Sequence, residues 1–296
     1  IHLDDDDAPT SYHQAINSDD KQQWLEAMQE ELRSHIKNGT FSVKDNDKAT
    51  KTIGSRWVFK KKLNEKGKVT RFKARLVAKG FSQVEGVHFN ETFAPTVKME
   101  SFRTIMALAV QEKLNLYQMD VDTAYLIPFL PQEEIISMRA PNGMAELCSD
   151  NDLRFKPGQV LQLSKCIYGL HQASHYWNNE LTEALASFGF NQSNADPCVM
   201  VKTTNNDGTI FICFDVDDIL LAGSPKGVDL IRKLLKRKFP MKDLGEPKQF
   251  TGITIKRLSE QSIMLTQPTF TRRLLEKFNM QDCKPARTPA ASERLE

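Results

Sequence analysis

The stretch TIFICFDVDDILLAG, residues 209–223, is apolar on both sides of an acidic centre. It reads as two buried strands joined at a tight turn that carries Asp215, Asp217 and Asp218. Ionised carboxylates are almost never buried without partners. A second stretch, QMDVDTAYL at residues 118–126, has the same character: Asp120 and Asp122 interrupt an otherwise buried strand. Carboxylates in two separate apolar strands need a common counter-charge. A divalent cation supplies one, and hard oxygen ligands select Mg²⁺ or Mn²⁺ over zinc. Two such ions ~3.5–4 Å apart can activate a hydroxyl nucleophile and stabilise a phosphate leaving group. Turn aspartates at strand ends are the plainer alternative. The Asp-Asp pair between FICF and ILL, with a second acidic strand, favours the metal. Spacing leaves open whether the chain is a polymerase, a two-metal nuclease or a phosphatase, and which oxygen attacks.

Further out, residues 56–78 predict a β-hairpin, with RWVFKKKL as one strand, NEKG as the turn and KVTRFKARLVA as the return. Side chains alternate across a strand. Arg71, Lys73 and Arg75 therefore share one face, and Phe72, Ala74 and Leu76 the other. Three cations on one face repel unless water or an anion compensates, so this face is a candidate for binding phosphate. Residues 48–80 carry twelve Lys or Arg and one acid, Glu65, whereas residues 1–31 carry nine acids, including the run at residues 4–7, and one base, Lys21. The net charge of +2 over 296 residues conceals that asymmetry.

Residues 1–17 read as an acidic linker. A helix follows, capped by Ser18 or Asp19, with Trp24, Met28, Leu32 and Ile36 at helical spacing and a stop at Asn38-Gly39. Helices are also expected at residues 101–112, 173–188, 226–238 and 268–279, the third with Leu230, Ile231, Leu234 and Leu235 inward. QFTGITIKR and SIMLTQ read as strands, and residues 126–160, with four prolines, as loop and short strand. Helices and strands mix without βαβ alternation, which predicts an α+β fold with a largely antiparallel sheet. With 40% hydrophobic and 26% charged residues, most of the chain should bury a core. No apolar run approaches ~18 residues, so no membrane span is expected. The five cysteines form no C-x-x-C pair, which argues against zinc and for a reduced, intracellular protein. The first residue is Ile1, as in a piece of a longer reading frame.

Six segments, in this order, carry a resemblance: residues 54–95, which contain KARLVAKGF; QMDVDTAYL; CIYGLHQASHYWN at 166–178; VDDILLAG at 216–223; KDLGEPKQFTGI at 242–253; and FNMQDCKPARTP at 278–289. Over roughly residues 20–290 the chain resembles the reverse transcriptase of copia-type LTR retrotransposons. The resemblance implies an α+β right hand of fingers, palm and the start of a thumb. Residues 1–38 would be linker and lead-in helix. Residues 39–283 would be the reverse transcriptase domain, with fingers at about 50–115 and 126–165, palm at about 116–125 and 166–245, and a thumb-side remainder at about 246–283. Residues 284–296 would begin a linker. The catalytic and metal-binding set would be Asp120, Asp217 and Asp218, holding two Mg²⁺ or Mn²⁺. Lys61 (one of Lys60, Lys61 and Lys62), Arg75, Tyr125 and Gln172 would bind nucleotide, Tyr125 as a steric gate against a ribose 2′-hydroxyl. Arg71, Lys73, Tyr168 and Gly169 would contact nucleic acid. The implied partners are an RNA template, a DNA primer, dNTPs, and an upstream integrase and downstream RNase H of the parent polyprotein, in a cytoplasmic virus-like particle.

The chain departs from the family pattern in places. Asp215 stands where an aromatic usually precedes V-D-D. AYLIPFLPQEEIISM at 124–138 lacks the family's Asn-Gly turn and is about two residues longer. His171 and His175 replace a Lys and an Arg, and Thr251 replaces a Leu. Two expectations therefore stand together: a working RNA-directed DNA polymerase, or a degenerate copy that folds and binds nucleic acid without polymerising.

Overall fold

In a computed structural model, residues 8–47, 51–63, 68–148, 155–205 and 208–286 are described. The acidic run at residues 4–7 and the expected NEKG turn lie outside these residues. The centre is a six-stranded sheet in the order Met241–Gly245, Asn115–Val121, Asp218–Gly223, Gly208–Asp215, Val199–Thr204, Asn191–Gln192. Every neighbouring pair in it is antiparallel. The expected α+β class with a mainly antiparallel sheet is what forms.

Alternation sorts the central strands onto two cores. Met119, Val121, Ile210, Ile212, Phe214, Ile219 and Leu221 pack on the helices Ala173–Ser187 and Pro225–Lys238, where Trp177 meets Phe239 edge-on at 5.3 Å. Leu116, Cys213, Leu220 and Ala222 pack on the helix Met99–Gln111 and on a three-stranded sheet of Gln249–Phe250, Ile253–Ser259 and Ser262–Thr266. Phe102 stacks on Phe250 there at 5.4 Å.

A third core lies under the basic hairpin, Ser55–Leu63 paired with Val69–Ala78. The helix Lys21–Asn38 closes it, burying Trp24, Met28 and Leu32, and Trp24 meets Phe59 and Phe72 edge-on at 5.2 and 4.7 Å. Gly39, with φ of 60°, ends this helix as the sequence predicts. A four-stranded sheet, ordered Phe41–Asp45, Gln159–Leu163, Ser137–Arg139, Thr52–Ile53, completes this part.

Several local expectations are corrected. The helix Lys21–Asn38 is capped neither by Ser18 nor by Asp19: its N-cap is Asp20, which makes no side-chain cap hydrogen bond. Within the expected linker, Tyr12–Ile16 is helical, because Ser11 caps it by accepting the Gln14 N–H and Ala15 is buried. Ile36 and Leu230 are exposed rather than inward, each at the edge of its helix's apolar stripe. No helix among the described residues is long and apolar enough to cross a membrane.

Candidate active site

Asp120 and Asp218 are register partners on adjacent central strands, and Asp215 pairs with Asp218 across the hairpin turn. Directly opposed residues of an antiparallel pair project to one face, so the three carboxylates share a face. Asp217 lies in the two-residue turn between them. Its carbonyl accepts the Val121 N–H at 2.8 Å, and the Val216 carbonyl accepts the Trp177 indole N–H at 2.6 Å. Val216 has φ of 56°, a left-handed conformation that costs a β-branched residue about 1–2 kcal/mol. Those two hydrogen bonds hold the turn despite that cost, and such strain concentrates at functional sites.

Burial and mutual repulsion act together here. Asp218 is pushed up to about 6, first by burial and then by Asp217, Asp120 and Asp215, against the Gln118 N–H that it accepts. Asp120 is raised by burial and by Asp217, with Lys242 and Lys73 opposing. Asp215 is raised by burial and by Asp217. Gln118 is buried, and its Nε2 donates to Asp218 Oδ1 at 2.7 Å and to the Gln249 carbonyl at 2.9 Å. Lys242 stands opposite Asp120 in register and pairs with Asp122. Among the described residues no three His, Cys, Asp or Glu side chains are arranged to hold a metal ion. The donors fit one in kind: hard oxygens carrying negative charge that the nearby lysines leave only partly offset.

A raised carboxylate pKa means the folded chain holds a proton that the unfolded chain has lost. Stability should therefore fall as pH rises from about 4 through about 6. Asp218→Asn keeps an acceptor for Gln118 and removes the charge. It is expected to stabilise the metal-free chain at pH 7 by about 1 kcal/mol, after allowance for solvent screening. The gain should vanish near pH 4. Thermal melts in EDTA at both pH values check this, and an equal shift at both would refute it.

Basic and aromatic side chains converge on the carboxylates. The Arg75 guanidinium stands 4.6 Å from the Tyr168 ring centroid, and Tyr168 meets Tyr125 edge-on at 5.3 Å. The Tyr125 hydroxyl is raised by burial and then by Asp217 and Asp215, with Arg75 opposing. The Tyr168 hydroxyl, raised chiefly by burial, reaches about 12. Lys73 is lowered by burial and by Arg75, and its charge in turn favours ionised Asp120. Arg75 Nε is buried and has no hydrogen-bond partner among the described residues. Arg71 is exposed and pairs with Glu30 at 2.6 Å.

Two expected residues are not brought to this cluster. Lys61 stands opposite Phe72 in register, so it belongs to the apolar face, where its Nζ reaches Asp20 at 2.8 Å. Lys60 and Lys62 stand opposite Lys73 and Arg71 and share the basic face. Gln172 is fully buried. Its Nε2 donates to the His88 carbonyl at 2.7 Å and to Glu134 at 2.9 Å, and its Oε1 accepts from Gln83 at 3.0 Å. Gly169, with φ of 89°, lies backbone to backbone against Ala78. His175 Nδ1 donates to the Phe93 carbonyl at 2.7 Å and its Nε2 accepts from Asn179 Nδ2 at 3.0 Å, and His171 lies 5.1 Å from the Phe89 ring, so both histidines contact the loop before the helix Met99–Gln111. Gln118, Lys242 and Glu134 were not foreseen. Gln118 had a signal, since it precedes Asp120 by two residues on the same strand face.

Residues 38–292 match the family described as "Reverse transcriptase (RNA-dependent DNA polymerase)". The chain is 39% identical over 293 residues to the retrovirus-related Pol polyprotein from transposon TNT 1-94 of Nicotiana tabacum, covering 98% of this chain and 21% of that protein. It is 36% identical over 287 residues to the corresponding polyprotein from transposon RE2 of Arabidopsis thaliana, covering 96% of this chain and 19% of that protein. The chain thus spans about a fifth of the length of these relatives. A foamy viral protease-reverse transcriptase solved in complex with double-stranded DNA is similar at a TM-score of 0.42 and 11% identity, over 89% of this chain and 38% of that one.

Proposed function

Because the chain belongs to the reverse transcriptase (RNA-dependent DNA polymerase) family and is the reverse transcriptase region of a copia-type retrotransposon polyprotein, we propose that it adds dNTPs to a primer 3′-hydroxyl opposite an RNA template. The observation that carries this is the register pairing of Asp120 with Asp218, with the Asp217 turn beside it and the Arg75–Tyr168–Tyr125 stack leading up to it. In this reading the basic hairpin belongs to the fingers, the central sheet to the palm, and residues after about 246 to the thumb side.

Asp120, Asp217 and Asp218 would hold two Mg²⁺ or Mn²⁺, which supply charge neutralisation and an activated hydroxyl when bound. The chain's own work is positioning and fixed charge. Arg75, whose buried Nε lacks a partner among the described residues, receives the triphosphate, with Lys73 beside it. Lys60 and Lys62, rather than Lys61, extend that basic face. Tyr125 borders the sugar and disfavours a 2′-hydroxyl. Tyr168 and Gly169 lie beneath the new base pair, while Gln172 is engaged within the core by His88, Glu134 and Gln83. Arg71 meets backbone phosphate. The 3′-hydroxyl attacks the α-phosphate and pyrophosphate leaves. The RNA template, DNA primer, flanking integrase and RNase H, and a cytoplasmic particle complete the proposal.

Asp215 favours a second reading, a copy that binds nucleic acid without polymerising. It adds a further carboxylate directly opposite Asp218. Primer extension on poly(rA)–oligo(dT) with Mg²⁺ or Mn²⁺ decides, with wild type run beside Asp215→Tyr. Extension by wild type only when dTTP is present supports the polymerase. Extension by the variant alone supports the disabled copy. Primer shortening without dTTP would turn the site into a nuclease, and no extension by either folded protein would refute the polymerase reading for this chain.

A further inference from the structure

The return strand of the basic hairpin, Val69–Ala78, pairs on one side with Ser55–Leu63. On its open side, two alternate N–H groups are taken by other parts of the chain. The Ala78 N–H donates to the Tyr168 carbonyl at 2.8 Å, and the Leu76 N–H donates to Glu31 Oε1 at 3.1 Å. Arg75 and Val77 flank these anchors. Glu31 comes from the helix Lys21–Asn38, most of which precedes the residues matching the family, which begin at 38.

Glu31 is unusual for its position. It lies on the stripe that buries Trp24, Met28 and Leu32, and it is 8% exposed. An acid on a core stripe is costly unless bonded. It accepts the Leu76 N–H, and the Nε2 of the fully buried His35 lies 3.4 Å from it without a hydrogen bond; His35 Nδ1 is joined to Thr40 at 2.8 Å. Glu31 is also close enough for its charge to act on Lys73 and Tyr168. One carboxylate therefore fixes the strand edge beside Arg75 and supplies negative charge behind the basic face.

Resting on the polymerase reading above, we infer that Glu31 is a positioning residue for nucleotide binding, acting through the backbone at Leu76 to hold Arg75 over Tyr168. Its effect is on nucleotide affinity rather than on the chemical step, because it touches neither the carboxylates nor the place of the reacting atoms. Glu31→Gln keeps an acceptor for the Leu76 N–H, whereas Glu31→Ala leaves that donor without one.

The test uses the full 296-residue chain. Steady-state extension with dTTP is measured for wild type, Glu31→Gln, Glu31→Ala, Arg75→Ala and the double variant Glu31→Ala/Arg75→Ala. Glu31→Ala is expected to raise the KM for dTTP roughly tenfold, within the range by which residues in contact are coupled, with kcat within about threefold, and Glu31→Gln to recover most of the loss. Because Glu31 acts through Arg75, the KM effect should disappear in the Arg75→Ala background, a non-additivity that loss of fold would not produce. A fall in kcat with KM unchanged, or additive effects in the double variant, overturns the inference. If wild type does not extend, the same cycle is run on the Kd of dTTP for the chain bound to poly(rA)–oligo(dT), by fluorescence of the tryptophans. Weakened binding that depends on Arg75 then upholds Glu31 while the polymerase reading fails. Equal binding by wild type and Glu31→Ala, or none by wild type, overturns it.

Discussion

Asp217→Asn is expected to abolish primer extension, lowering kcat by about 1,000-fold or more. That corresponds to ~4 kcal/mol of lost transition-state charge stabilisation, within what a bound metal supplies. The isosteric amide leaves the turn intact, since the hydrogen bond from the Val121 N–H goes to the Asp217 main-chain carbonyl. Removing the charge also relieves repulsion on Asp120, Asp215 and Asp218, each raised in part by Asp217. The Tm in EDTA should therefore hold or rise, while affinity for the primer–template, which the proposed function gives to cations elsewhere, should change little. Extension, Tm and duplex affinity measured together separate a catalytic role from a structural one. If Asp215→Tyr extends and wild type does not, the comparison is made in the Asp215→Tyr background. Residual extension above a tenth of the parent's would remove Asp217 from the catalytic set.

Much of this site was legible because its residues violate the pattern around them. Aspartates inside FICFDVDDILL are conspicuous because neighbouring residues obey strand burial, and the strands formed where the apolar residues placed them: Gly208–Asp215 and Asp218–Gly223 flank a two-residue turn. The basic hairpin was legible for the same reason. Its phase was not. Period-2 alternation sorts one strand, but which residues of the partner share that face depends on the pairing register, and the register here sets Lys60 and Lys62, not Lys61, with Lys73 and Arg71. Gln172 illustrates another limit. A glutamine at a family position says nothing of whether its amide is free, and here His88, Glu134 and Gln83, distant in sequence, saturate it. Glu31 was half legible: its place on the core stripe of a helix was a signal, but the strand edge it meets lies 45 residues away.

Gly169→Ala should be the most damaging single-methyl change near the site. Gly169 has φ of +89°, and a Cβ there would stand 2.2 Å from the Ala78 carbonyl oxygen and 2.6 Å from Val77 Cγ1. The reverse approach is equally close, since a Cβ on Gly80 would stand 2.1 Å from the Gly169 carbonyl. The obstacle is backbone on both sides, so no rotamer change relieves it. Left-handed strain of about 1–2 kcal/mol adds to overpacking of about 1–3 kcal/mol, for a loss of about 2–5 kcal/mol. A chain of this size should then lose on the order of 10 °C in Tm. Gly86→Ala separates the two causes: its φ is +75°, but no described residue lies within 4 Å of the added carbon, so it should show the strain alone and lose at most about 2 kcal/mol. The functional cost follows from the same geometry. Prising residue 169 from Ala78 breaks the Ala78 N–H bond to Tyr168 and moves the ring on which Arg75 rests. A displacement of about 1 Å is enough to cost ~100-fold in rate. Equal Tm losses in the two variants would mean that the strands can part at little cost, and the backbone contact would then not be what joins the basic hairpin to the carboxylates.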